Sequence, residues 1–593
     1  MSDMANLLGY KPSKLAFILH KIPHYERYNE FEIPKKDGGK RKISEPEVRL
    51  KLLQRRLSGL LTDCFEELYN GTTFKRSLSH GFRKKHSIFS NARNHKNKRF
   101  VFNLDLSDFF PSINFGRVRG FFIKSKDFEL DANVATIIAQ IACYNNELPQ
   151  GSPFSPVISN LIGHLLDIRL VKLAKRLKCC YSRYADDITF STNERDFPES
   201  IALPHSGDEN SWIVGEKLRS HINDMGFKVN DKKVSMQYSS HRQMATGLVV
   251  NKGVNVRRDY YKETRSMCHS LFLTNSFYLK KSTSTKRIEL FSADGDAVVS
   301  GAIKQLEGRL SYIYDIQKKS YAVRNNHQCD EHKIPFQKIP IAKTYAKFLF
   351  YKYFFALNRP LLVCEGKTDP IYIKCALNKL CIDYESLVQA NLDTGIEYKV
   401  DFFGWSKTAH EVFALPTGTQ GMMGIMNIYD DYMKIFQGQS VVNPVILLID
   451  NDSGSKGIFA RMGAKEDRTK PFYHFKHNLY VVPTPLGSDG KDTKIEDFFD
   501  IEILKTIIDG KKFNPNNNES GTNNTYSKTV FAEKVIKVKQ NSINFDHFKP
   551  LLDRIVQTIN FHHGSPPSIV SKKEGTKELI NPKLPATYAI SQA

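Results

Sequence analysis

Two adjacent aspartates, Asp186 and Asp187, interrupt the strand-like stretch "YSRYADDITFS" at residues 181–191. The pair favours a turn, because an Asp side chain can bond its own backbone. Clustered carboxylates also repel one another unless a cation or a proton neutralises them, so the same pair suits a metal site. Partner carboxylates elsewhere in the chain decide between the two interpretations.

A third carboxylate, Asp105, lies in the apolar stretch "FVFNLDL" at residues 100–106. Two strands that each carry acids near one end can gather three carboxylates around one point. Such a group suits two divalent ions, which activate an attacking hydroxyl and stabilise a leaving pyrophosphate. Asp105, Asp186 and Asp187 are therefore predicted to hold Mg²⁺ together with nucleotide phosphates. Strand alternation points Asp187 away unless the turn redirects it, so Asp105 and Asp186 rank above it.

A second set of acids follows two apolar runs further along the chain. Glu365 comes near the end of "RPLLVCEG" (359–366), Asp369 follows one helical turn later, and Asp450 and Asp452 end "VILLIDND". Residues two apart in a strand point to the same side, so the two aspartates are expected to share one cation while Asn451 faces away. Apolar runs of this kind are typical of buried parallel strands, which bind ligands at their carboxyl ends.

The elements that must position these acids are visible in the sequence patterns. "FEIPKKDGGKRKIS" predicts a hairpin that turns at Gly38 and Gly39, and residues 47–69 show apolar residues at helical spacing. Alternating short strands and helices from about 100 to 250 predict a mixed α/β domain, and a second α/β pattern begins near 359.

Three segments carry little apolar content. The stretch 314–345 is basic and polar and is the expected domain junction. The Asn-rich stretch 514–527 is predicted to be a loop or linker, and the tail after 565 is predicted to be poorly ordered.

Composition narrows the class of protein. The 593 residues are 41% hydrophobic, which excludes disorder of the whole chain, and a formal net charge of +23 points to a nucleic-acid partner. Nine cysteines without a CxxC pair favour neither a disulfide scaffold nor a zinc finger. The chain shows neither a signal sequence nor a membrane span, so a cytoplasmic protein without a membrane partner is expected.

Over about its first 310 residues the chain resembles a reverse transcriptase. "YADD" (184–187) looks like the signature hairpin of that family, Asp105 matches its first metal-binding aspartate, and "QGSPFSPVISNL" (150–161) resembles the motif that holds primer, template and nucleotide. The resemblance implies a right-hand polymerase fold in residues 1–315, with fingers and palm to about 250 and a thumb at about 251–315. It also implies a two-metal Mg²⁺ site.

Further residues are assigned from the same resemblance. Phe110 matches the aromatic residue that excludes a ribose 2′-hydroxyl, so deoxynucleoside triphosphates are the expected substrates. Arg41, with Lys40 or Lys42, matches the grip on the triphosphate. Either Lys233 or Lys232 matches the general acid. The nucleotide and primer-template contacts fall on Gln150, Gly151 and Ser152.

Two features resemble the retron group of reverse transcriptases. Asn91, Ala92 and His95 form its NAxxH signature, and Thr246 and Gly247 match its Val-Thr-Gly segment, with Ala245 in place of valine. Retron enzymes copy a dedicated structured RNA from a guanosine 2′-hydroxyl into branched RNA-linked single-stranded DNA (msDNA). RNA recognition is accordingly expected at Asn91, His95, Thr246, Gly247, Arg257 and Arg258. The basic and aromatic residues after 250 suit RNA stacking or an ordinary amphipathic surface equally well.

Residues 358–510 resemble a Toprim domain, which has a Rossmann-like α/β fold. Glu365 matches its acid, either a metal ligand or a general acid/base, and Asp450 and Asp452 match its metal pair. Asp369 gives the EGxxD form of overcoming-lysogenization-type nucleases, in which a further acid, Glu496 or Asp497 in this chain, completes a Mg²⁺ or Mn²⁺ site. Glu496 suits a helix start equally well.

The sequence thus predicts a bacterial retron reverse transcriptase fused, through a linker or connecting helix at residues 316–357, to a Toprim nuclease with a partly flexible extension at 511–593. Its expected partners are the cognate RNA, the msDNA product, a DNA or RNA target and, as a candidate, a second copy of the chain. The resemblance implies antiphage defence in which the RNA-DNA product restrains the nuclease. The alternatives are an intron-encoded or other defence-associated reverse transcriptase and a catalytically inactive RNA-binding scaffold.

Overall fold

The structure is a computed structural model. The residues that it describes are 1–35, 38–70, 79–205, 208–280, 285–289, 296–325, 334–391, 395–404, 407–413, 418–437, 441–463, 467–515 and 524–564. None of the helices in these ranges combines the length and apolar content that crossing a bilayer requires. The tail that the sequence predicts to be poorly ordered lies outside the described ranges.

The chain divides into two compact units. The first consists of Met1–Thr264, Lys280–Ser284 and Gly308–Ile341. The second consists of Arg265–Leu279, Thr285–Glu307 and Ala342–Ala593. The first unit contains the whole stretch predicted as fingers and palm, and the second contains the stretch predicted as a nuclease domain.

The described residues up to 325 contain both helices and strands. In chain order they are α1 (Ser2–Leu7), α2 (Pro12–Ala16), β1 (Tyr28–Pro34), β2 (Lys40–Pro46), α3 (Val48–Asn70), α4 (Ile88–Arg93), β3 (Phe100–Ser107), α5 (Phe115–Lys124), α6 (Ala132–Ala142), α7 (Ser155–Arg176), β4 (Cys180–Tyr184), β5 (Asp187–Thr192), β6 (Ala202–His205), β7 (Asp208–Val214), α8 (Glu216–Asp224), β8 (Lys228–Val229), β9 (Ser235–Tyr238), β10 (Met244–Ala245), β11 (Leu248–Val249), α9 (Arg258–Thr274), β12 (Ser276–Lys280), β13 (Thr285–Glu289) and α10 (Asp296–Arg324).

The remaining elements all belong to the second unit. They are α11 (Ala342–Phe350), β14 (Leu361–Cys364), α12 (Asp369–Lys379), β15 (Val388–Asn391), β16 (Gly395–Tyr398), β17 (Asp401–Phe402), α13 (Lys407–Phe413), α14 (Gly418–Met433), β18 (Val445–Ile449), α15 (Lys456–Arg461), β19 (Tyr473–Lys476), β20 (Leu479–Pro483), α16 (Ile501–Leu504), β21 (Lys512–Phe513), β22 (Thr525–Tyr526), α17 (Lys528–Val530), α18 (Lys537–Lys539) and α19 (Lys549–Gly564).

The predicted hairpin and helix at the start of the first unit are confirmed. β1 and β2 pair antiparallel from Tyr28 opposite Pro46 to Pro34 opposite Lys40. In α3, Leu50, Leu53 and Leu57 are buried at the predicted helical spacing. The helix begins after Glu47, whose carboxylate accepts the backbone N–H of Leu50 at 2.8 Å, so an orphan donor of the first turn is satisfied.

A five-stranded antiparallel sheet is the centre of the first unit. Its strand order is β4-β5-β3-β8, and β9 pairs with the same edge of β3 as β8 does. The strands predicted at "FVFNLDL" and around "YADD" are therefore neighbours. Helix α7 packs beside β4, and its buried residues are mostly apolar. The buried polar residues of the helix are Ser155, Ser159, Asn160 and Asp167.

The second unit is built on a sheet of order β17-β14-β18-β20-β19. β17, β14, β18 and β20 run parallel, and β19 is an antiparallel edge strand. β14 and β18 are buried along their whole length, as the apolar runs predicted. Glu365 directly follows β14 and Asp450 directly follows β18, so both acids lie at carboxyl ends of adjacent parallel strands.

Two of the low-apolar stretches contain regular structure. The sequence predicts a linker or connecting helix for the first of them, whereas it predicts only a loop or linker for the second. Helix α10 continues through the predicted junction as far as Arg324, and α11 begins at Ala342. In the Asn-rich stretch, Thr525 and Tyr526 form β22, because the Tyr526 ring is buried and its hydroxyl bonds Thr506 O. Beyond it, the described part of the extension, 524–564, belongs to the core of the second unit through residues such as Phe531.

Candidate functional site

The turn between β4 and β5 carries the adjacent aspartates. Tyr184 pairs with Asp187, so Ala185 and Asp186 form the two-residue loop. Ala185 has a φ of +55°, a conformation that costs energy for a residue with a side chain. Asp186 O accepts the backbone N–H of Leu106 at 3.0 Å, which fixes the turn to the end of β3.

Three aspartates come together at this turn. We call them the first acidic cluster: Asp105, Asp186 and Asp187. Asp105 in β3 lies directly opposite Asp187 in β5. Residues directly opposite in neighbouring strands share a face of the sheet, so the expectation that alternation turns Asp187 away is wrong. The reason is that Asp186 lies in the turn, and the alternation of β5 starts only at Asp187.

A lysine from a later segment reaches the first acidic cluster. Lys233 ends the 3-10 turn Asp231–Lys233, and its Nζ lies 3.1 Å from Asp105 Oδ2 and 3.2 Å from Oδ1. The backbone N–H of Asn230 donates to Asp105 O at 2.8 Å and anchors this turn to β3. Of the two lysines that the sequence left open, Lys233 is therefore the one at the carboxylates.

The electrostatics of the first acidic cluster show an excess of negative charge. Partial burial and the charge of Asp105 raise the pKa of Asp186. Partial burial, with the charges of Asp186 and Asp105, raises the pKa of Asp187 to about 7, although that residue keeps a solvent-exposed face. Burial works to lower the pKa of Lys233, but its hydrogen bond and the three carboxylates outweigh burial and raise it.

The donor chemistry fits Mg²⁺, which prefers carboxylate oxygens completed by substrate phosphates. Lys233 brings one positive charge to three carboxylates, so it does not neutralise the aspartates by itself. Within the described residues, no group of three or more His, Cys, Asp or Glu side chains is arranged to hold a metal ion by itself. Asp105, Asp186 and Asp187 would therefore hold the metal jointly with nucleotide phosphates.

The loop predicted to hold primer, template and nucleotide lies against the β1–β2 hairpin. Gln150 O accepts the backbone N–H of Ser44 at 2.7 Å, and a Cβ on Gly151 would meet Ser44 O at 2.7 Å, so only glycine fits there. Ser152 is buried and donates to Gln54 Oε1 at 2.9 Å, which makes it a support of the loop.

The three basic residues at the start of β2 differ in whether a carboxylate pairs with them. Lys40 and Lys42 pair with Glu32 and Glu30 at 2.7 and 2.9 Å, whereas no carboxylate in the described part of the chain pairs with Arg41. Burial and the charge of Asp105 raise the pKa of Asp186, and the charge of Arg41 opposes part of that rise. Arg41 is exposed and is the hairpin cation best placed for a substrate phosphate.

Phe110 follows β3 and is half-buried. Its ring centroid lies 5.4 Å from that of Phe109 and 6.1 Å from that of Phe82. Packing on the hydrophobic core of the first unit fixes the ring at the edge of the strand that carries Asp105.

The NAxxH residues lie inside the first unit. His95 is fully buried, and its ring nitrogens bond Ser191 Oγ in β5 and Ser182 Oγ in β4, both at 2.7 Å. Asn91, at 1% exposure, has no hydrogen-bond partner for its side chain within the described residues. Neither side chain faces a surface that RNA can reach, so the direct RNA contacts predicted for Asn91 and His95 are wrong. His95 instead joins β4 and β5 through the two serines.

The other residues predicted for RNA recognition lie nearer the surface. Thr246 and Gly247 form the turn between β10 and β11, and Thr246 Oγ1 donates to Ile88 O at 3.1 Å, which joins this turn to the NAxxH helix α4. Arg257 and Arg258 are exposed at the start of α9, where Arg257 pairs with Asp259 at 3.0 Å.

Comparison with known proteins agrees with this geometry. The family model "Reverse transcriptase (RNA-dependent DNA polymerase)" matches residues 33–265. The retron Mx162 reverse transcriptase of Myxococcus xanthus is 32% identical over 45% of this chain and 58% of that protein. The retron Ec86 reverse transcriptase of Escherichia coli is 30% identical over 50% of this chain and 78% of that protein.

The chain belongs to the retron reverse transcriptase family. The retron Mx65 reverse transcriptase of Myxococcus xanthus is 32% identical, and this chain covers 62% of it. The chain thus spans less than two thirds of both the Mx162 and the Mx65 proteins. Among solved structures, telomerase from Candida tropicalis aligns over 55% of this chain and 62% of that chain, at 11% identity and a TM-score of 0.31, a likeness too low to bear on the fold.

The second unit of this retron-family chain gathers Glu365, Asp369, Asp450 and Glu496, called the second acidic cluster below. Glu365 accepts the Thr419 hydroxyl at 2.5 Å and the Asp450 backbone N–H at 3.3 Å. Asp450 accepts the backbone N–H of Ile495 at 3.0 Å, which brings the Ile495–Phe498 3-10 turn and hence Glu496 to the cluster.

The neighbouring acids have other partners. Asp452 Oδ1 accepts the backbone N–H of Gly454 at 2.8 Å, and Asp452 precedes a 3-10 turn of its own. The cation that Asp450 and Asp452 are expected to share therefore stays a prediction. Asp497 accepts Lys494 N at 2.7 Å as a helix cap, whereas Glu496 is buried and acts electrostatically on Asp369 and Asp450. Of the two candidates, Glu496 is the one at the cluster.

Lys528, which the sequence did not single out, supplies the counter-charge of this cluster. Its Nζ lies 2.8 Å from Glu496 Oε1, and neither oxygen of Glu496 has a well-aligned hydrogen bond within the described residues. Burial works to lower the pKa of Lys528, but Glu496, Asp450 and Asp369 outweigh it and raise that pKa.

The second acidic cluster also carries excess negative charge. Burial, with the charges of Glu496 and Glu365, raises the pKa of Asp369 to about 6. Burial and the charges of Asp369, Glu365 and Glu496 raise the pKa of Asp450 to about 8. Hard carboxylate donors with unneutralised charge fit Mg²⁺ or Mn²⁺. The described side chains of this cluster are not arranged to hold a metal ion by themselves, so Glu365, Asp369, Asp450 and Glu496 would hold it jointly with phosphate oxygens of a bound nucleic acid.

Proposed function

We propose that the first unit is an RNA-directed DNA polymerase that copies a structured non-coding RNA into branched RNA-linked single-stranded DNA from a guanosine 2′-hydroxyl. The observation that carries the proposal is the register of Asp105 opposite Asp187, with Asp186 in the turn and Lys233 on Asp105, in a retron-family chain. Membership of the family supports a retron product over that of an intron-encoded enzyme.

The residues would divide the work as follows. Two Mg²⁺ ions, when bound, activate the attacking hydroxyl and stabilise the leaving pyrophosphate. Lys233 would donate a proton to the leaving pyrophosphate, and Arg41 would pair with a phosphate of the incoming nucleotide. Phe110 would exclude the 2′-hydroxyl of a ribonucleotide by its bulk.

The proposal is tested by expressing the chain together with its flanking genomic DNA. Total nucleic acid run on a denaturing gel should contain a short DNA band that shifts after ribonuclease treatment and is lost in Asp186→Asn. Absence of the band in the unmutated strain counts against msDNA synthesis. Primer extension on an RNA template with Mg²⁺ separates a polymerase from an inactive RNA-binding scaffold.

We also propose that the second unit is a metal-dependent nuclease of the Toprim kind. The position of the second acidic cluster at the carboxyl ends of β14 and β18 supports this function, because parallel sheets bind ligands there. Purified protein should cut DNA or RNA with Mg²⁺ or Mn²⁺, and Asp450→Asn should abolish cutting while leaving primer extension intact. Equal cutting by the variant would assign the activity to a contaminant.

An antiphage role, in which the RNA-DNA product restrains the nuclease, is proposed on the same basis. A restraint is physically sensible for a chain that makes one nucleic acid and would cut another. Expression of the chain without its RNA should be toxic in a way that depends on Asp450. Equal toxicity with and without the RNA-DNA product would contradict the restraint.

A further inference from the structure

A buried ion pair lies directly behind the catalytic turn. Arg183 in β4 and Asp167 in α7 are both fully buried, and the guanidinium meets the carboxylate side-on, with Nε–Oδ1 and Nη2–Oδ2 distances of 2.7 Å. Tyr181 adds a hydroxyl donor to Asp167 Oδ1 at 2.6 Å. The bidentate geometry fixes the plane of the guanidinium.

The remaining guanidinium nitrogen is directed at the turn. Arg183 Nη1 donates to Ala185 O at 3.0 Å. Ala185 holds a φ of +55°, and a residue in that region persists where its surroundings over-determine it. The bond therefore holds the peptide that immediately precedes Asp186.

The surrounding backbone leaves room for this arrangement. A Cβ on Gly163 would lie 2.8 Å from Arg183 Nη2, and a Cβ on Gly81 would lie 2.7 Å from Ala185 N. His80 N donates to Arg183 O at 2.8 Å and covers the edge of β4. The turn is thus enclosed by helix α7 on one side and the segment 79–81 on another.

We infer that Arg183 is a positioning residue, which uses Asp167 as its anchor to hold Ala185 and so place the Asp186 carboxylate beside Asp105. The inference rests on the proposed polymerase function of the first acidic cluster. A purely structural ion pair needs no bond to the turn, and apolar residues of similar size often replace such a pair without loss. Displacement of a reacting group by about 1 Å costs roughly 10²-fold in rate.

The decisive variant is the double substitution Arg183→Met/Asp167→Asn. It removes both buried charges together, and the Asn carbonyl still accepts the Tyr181 hydroxyl, so the core keeps its volume and its polar partner. Arg183→Lys is the second variant, because it keeps the charge beside Asp167 and loses the donor to Ala185 O. Arg27→Met is the matched control, since Arg27 also bonds backbone carbonyls, those of Leu19 and Ile22.

Two measurements on the full chain test the inference. The first is the exchange rate of the Leu106 amide hydrogen, which reports the bond of that amide to Asp186 O. This rate should be at least about 10-fold higher in both test variants than in Arg27→Met. The exchange rate of the Leu148 amide, which bonds Ile113 O, should be unchanged. Primer extension should show kcat lowered by roughly 10²-fold, with the KM for nucleotide within about threefold.

The outcomes separate the inference from the proposed function. The positioning role would be overturned if a test variant folded and kept both its Leu106 exchange rate and its kcat within about threefold of the parent values. Accelerated Leu106 exchange in a chain whose parent makes no DNA on an RNA template would support the positioning role and overturn the polymerase.

Discussion

Lys233 Nζ lies within hydrogen-bonding distance of both carboxylate oxygens of Asp105, at 3.1 and 3.2 Å. Substituting Lys233 by Met should lower the rate of DNA synthesis by about 10²-fold or more, which is the range lost with a general acid. Lys232→Met is the matched control, and it should stay near the parent rate. Primer extension measures both, and a larger loss in Lys232→Met would exchange the roles of the two lysines.

Gly81 tests how closely the catalytic turn is packed. A Cβ there would lie 2.7 Å from Ala185 N, so Gly81→Ala must displace backbone at the turn. We expect it to cost about 1–3 kcal/mol of stability and to reduce DNA synthesis strongly. In Gly59→Ala the new methyl meets no atom within 4 Å and α3 gains helix propensity, so stability should rise by roughly 0.5–1 kcal/mol with activity kept. Equal activity of the two variants would contradict this packing.

The sequence patterns predicted the strands that carry both acidic clusters, because alternation and apolar runs report burial directly. They do not predict register, which places Asp187 directly opposite Asp105. Lys232 and Lys233 are adjacent in the sequence, and the geometry of one 3-10 turn decides which side chain reaches Asp105. Amino-acid composition does not encode that geometry.

Other misses have similar causes. The NAxxH resemblance marked Asn91 and His95 as important, but it did not show that both are buried. Lys528 stands in "TYSKTV", which carries no recognisable motif. Its ion pair with Glu496 forms because the C-terminal stretch packs into the core of the second unit. Long-range packing of this kind leaves no local signal.

Phe110 offers a test of substrate choice. Its ring is fixed by Phe109 and Phe82, so Phe110→Ala should open space beside the incoming sugar while leaving the first acidic cluster in place. Discrimination against ribonucleotides should fall by roughly 10–10²-fold in kcat/KM, with deoxynucleotide use retained. Competing incorporation of dGTP and GTP on one RNA template measures this ratio. Unchanged discrimination would place the selecting residue elsewhere.

The choice between Glu496 and Asp497 can be tested through metal binding alone. Glu496→Gln removes a carboxylate from the second acidic cluster, and it should weaken Mn²⁺ binding by about 10-fold or more. Asp497→Asn changes the adjacent residue, which caps Lys494 N, and it should leave the affinity near that of the parent. Titration calorimetry in an Asp186→Asn background confines the signal to the second unit. A larger effect of Asp497→Asn would reverse the assignment.

His95 should make the stability of the first unit depend on pH. Burial, aided by the charges of His80 and Lys98, lowers the pKa of His95 to about 3, whereas an unfolded histidine titrates near about 6.5. Between these values the unfolded chain binds one proton more than the folded chain. Stability is therefore complete above about pH 6.5 and falls as the pH drops towards 3, by up to about 1.4 kcal/mol per pH unit.

His95→Gln does not titrate, so its stability should fall less steeply than that of the parent between about pH 6.5 and 5. Urea unfolding followed by Trp212 fluorescence in a Trp405→Phe background reports on the first unit, because the chain has two tryptophans. Comparing slopes removes any constant loss from poorer bonds to Ser182 and Ser191. Equal slopes for His95→Gln and the parent would mean that His95 is protonated in the folded protein, and its bonds to the two serine hydroxyls would then both be donated by the ring.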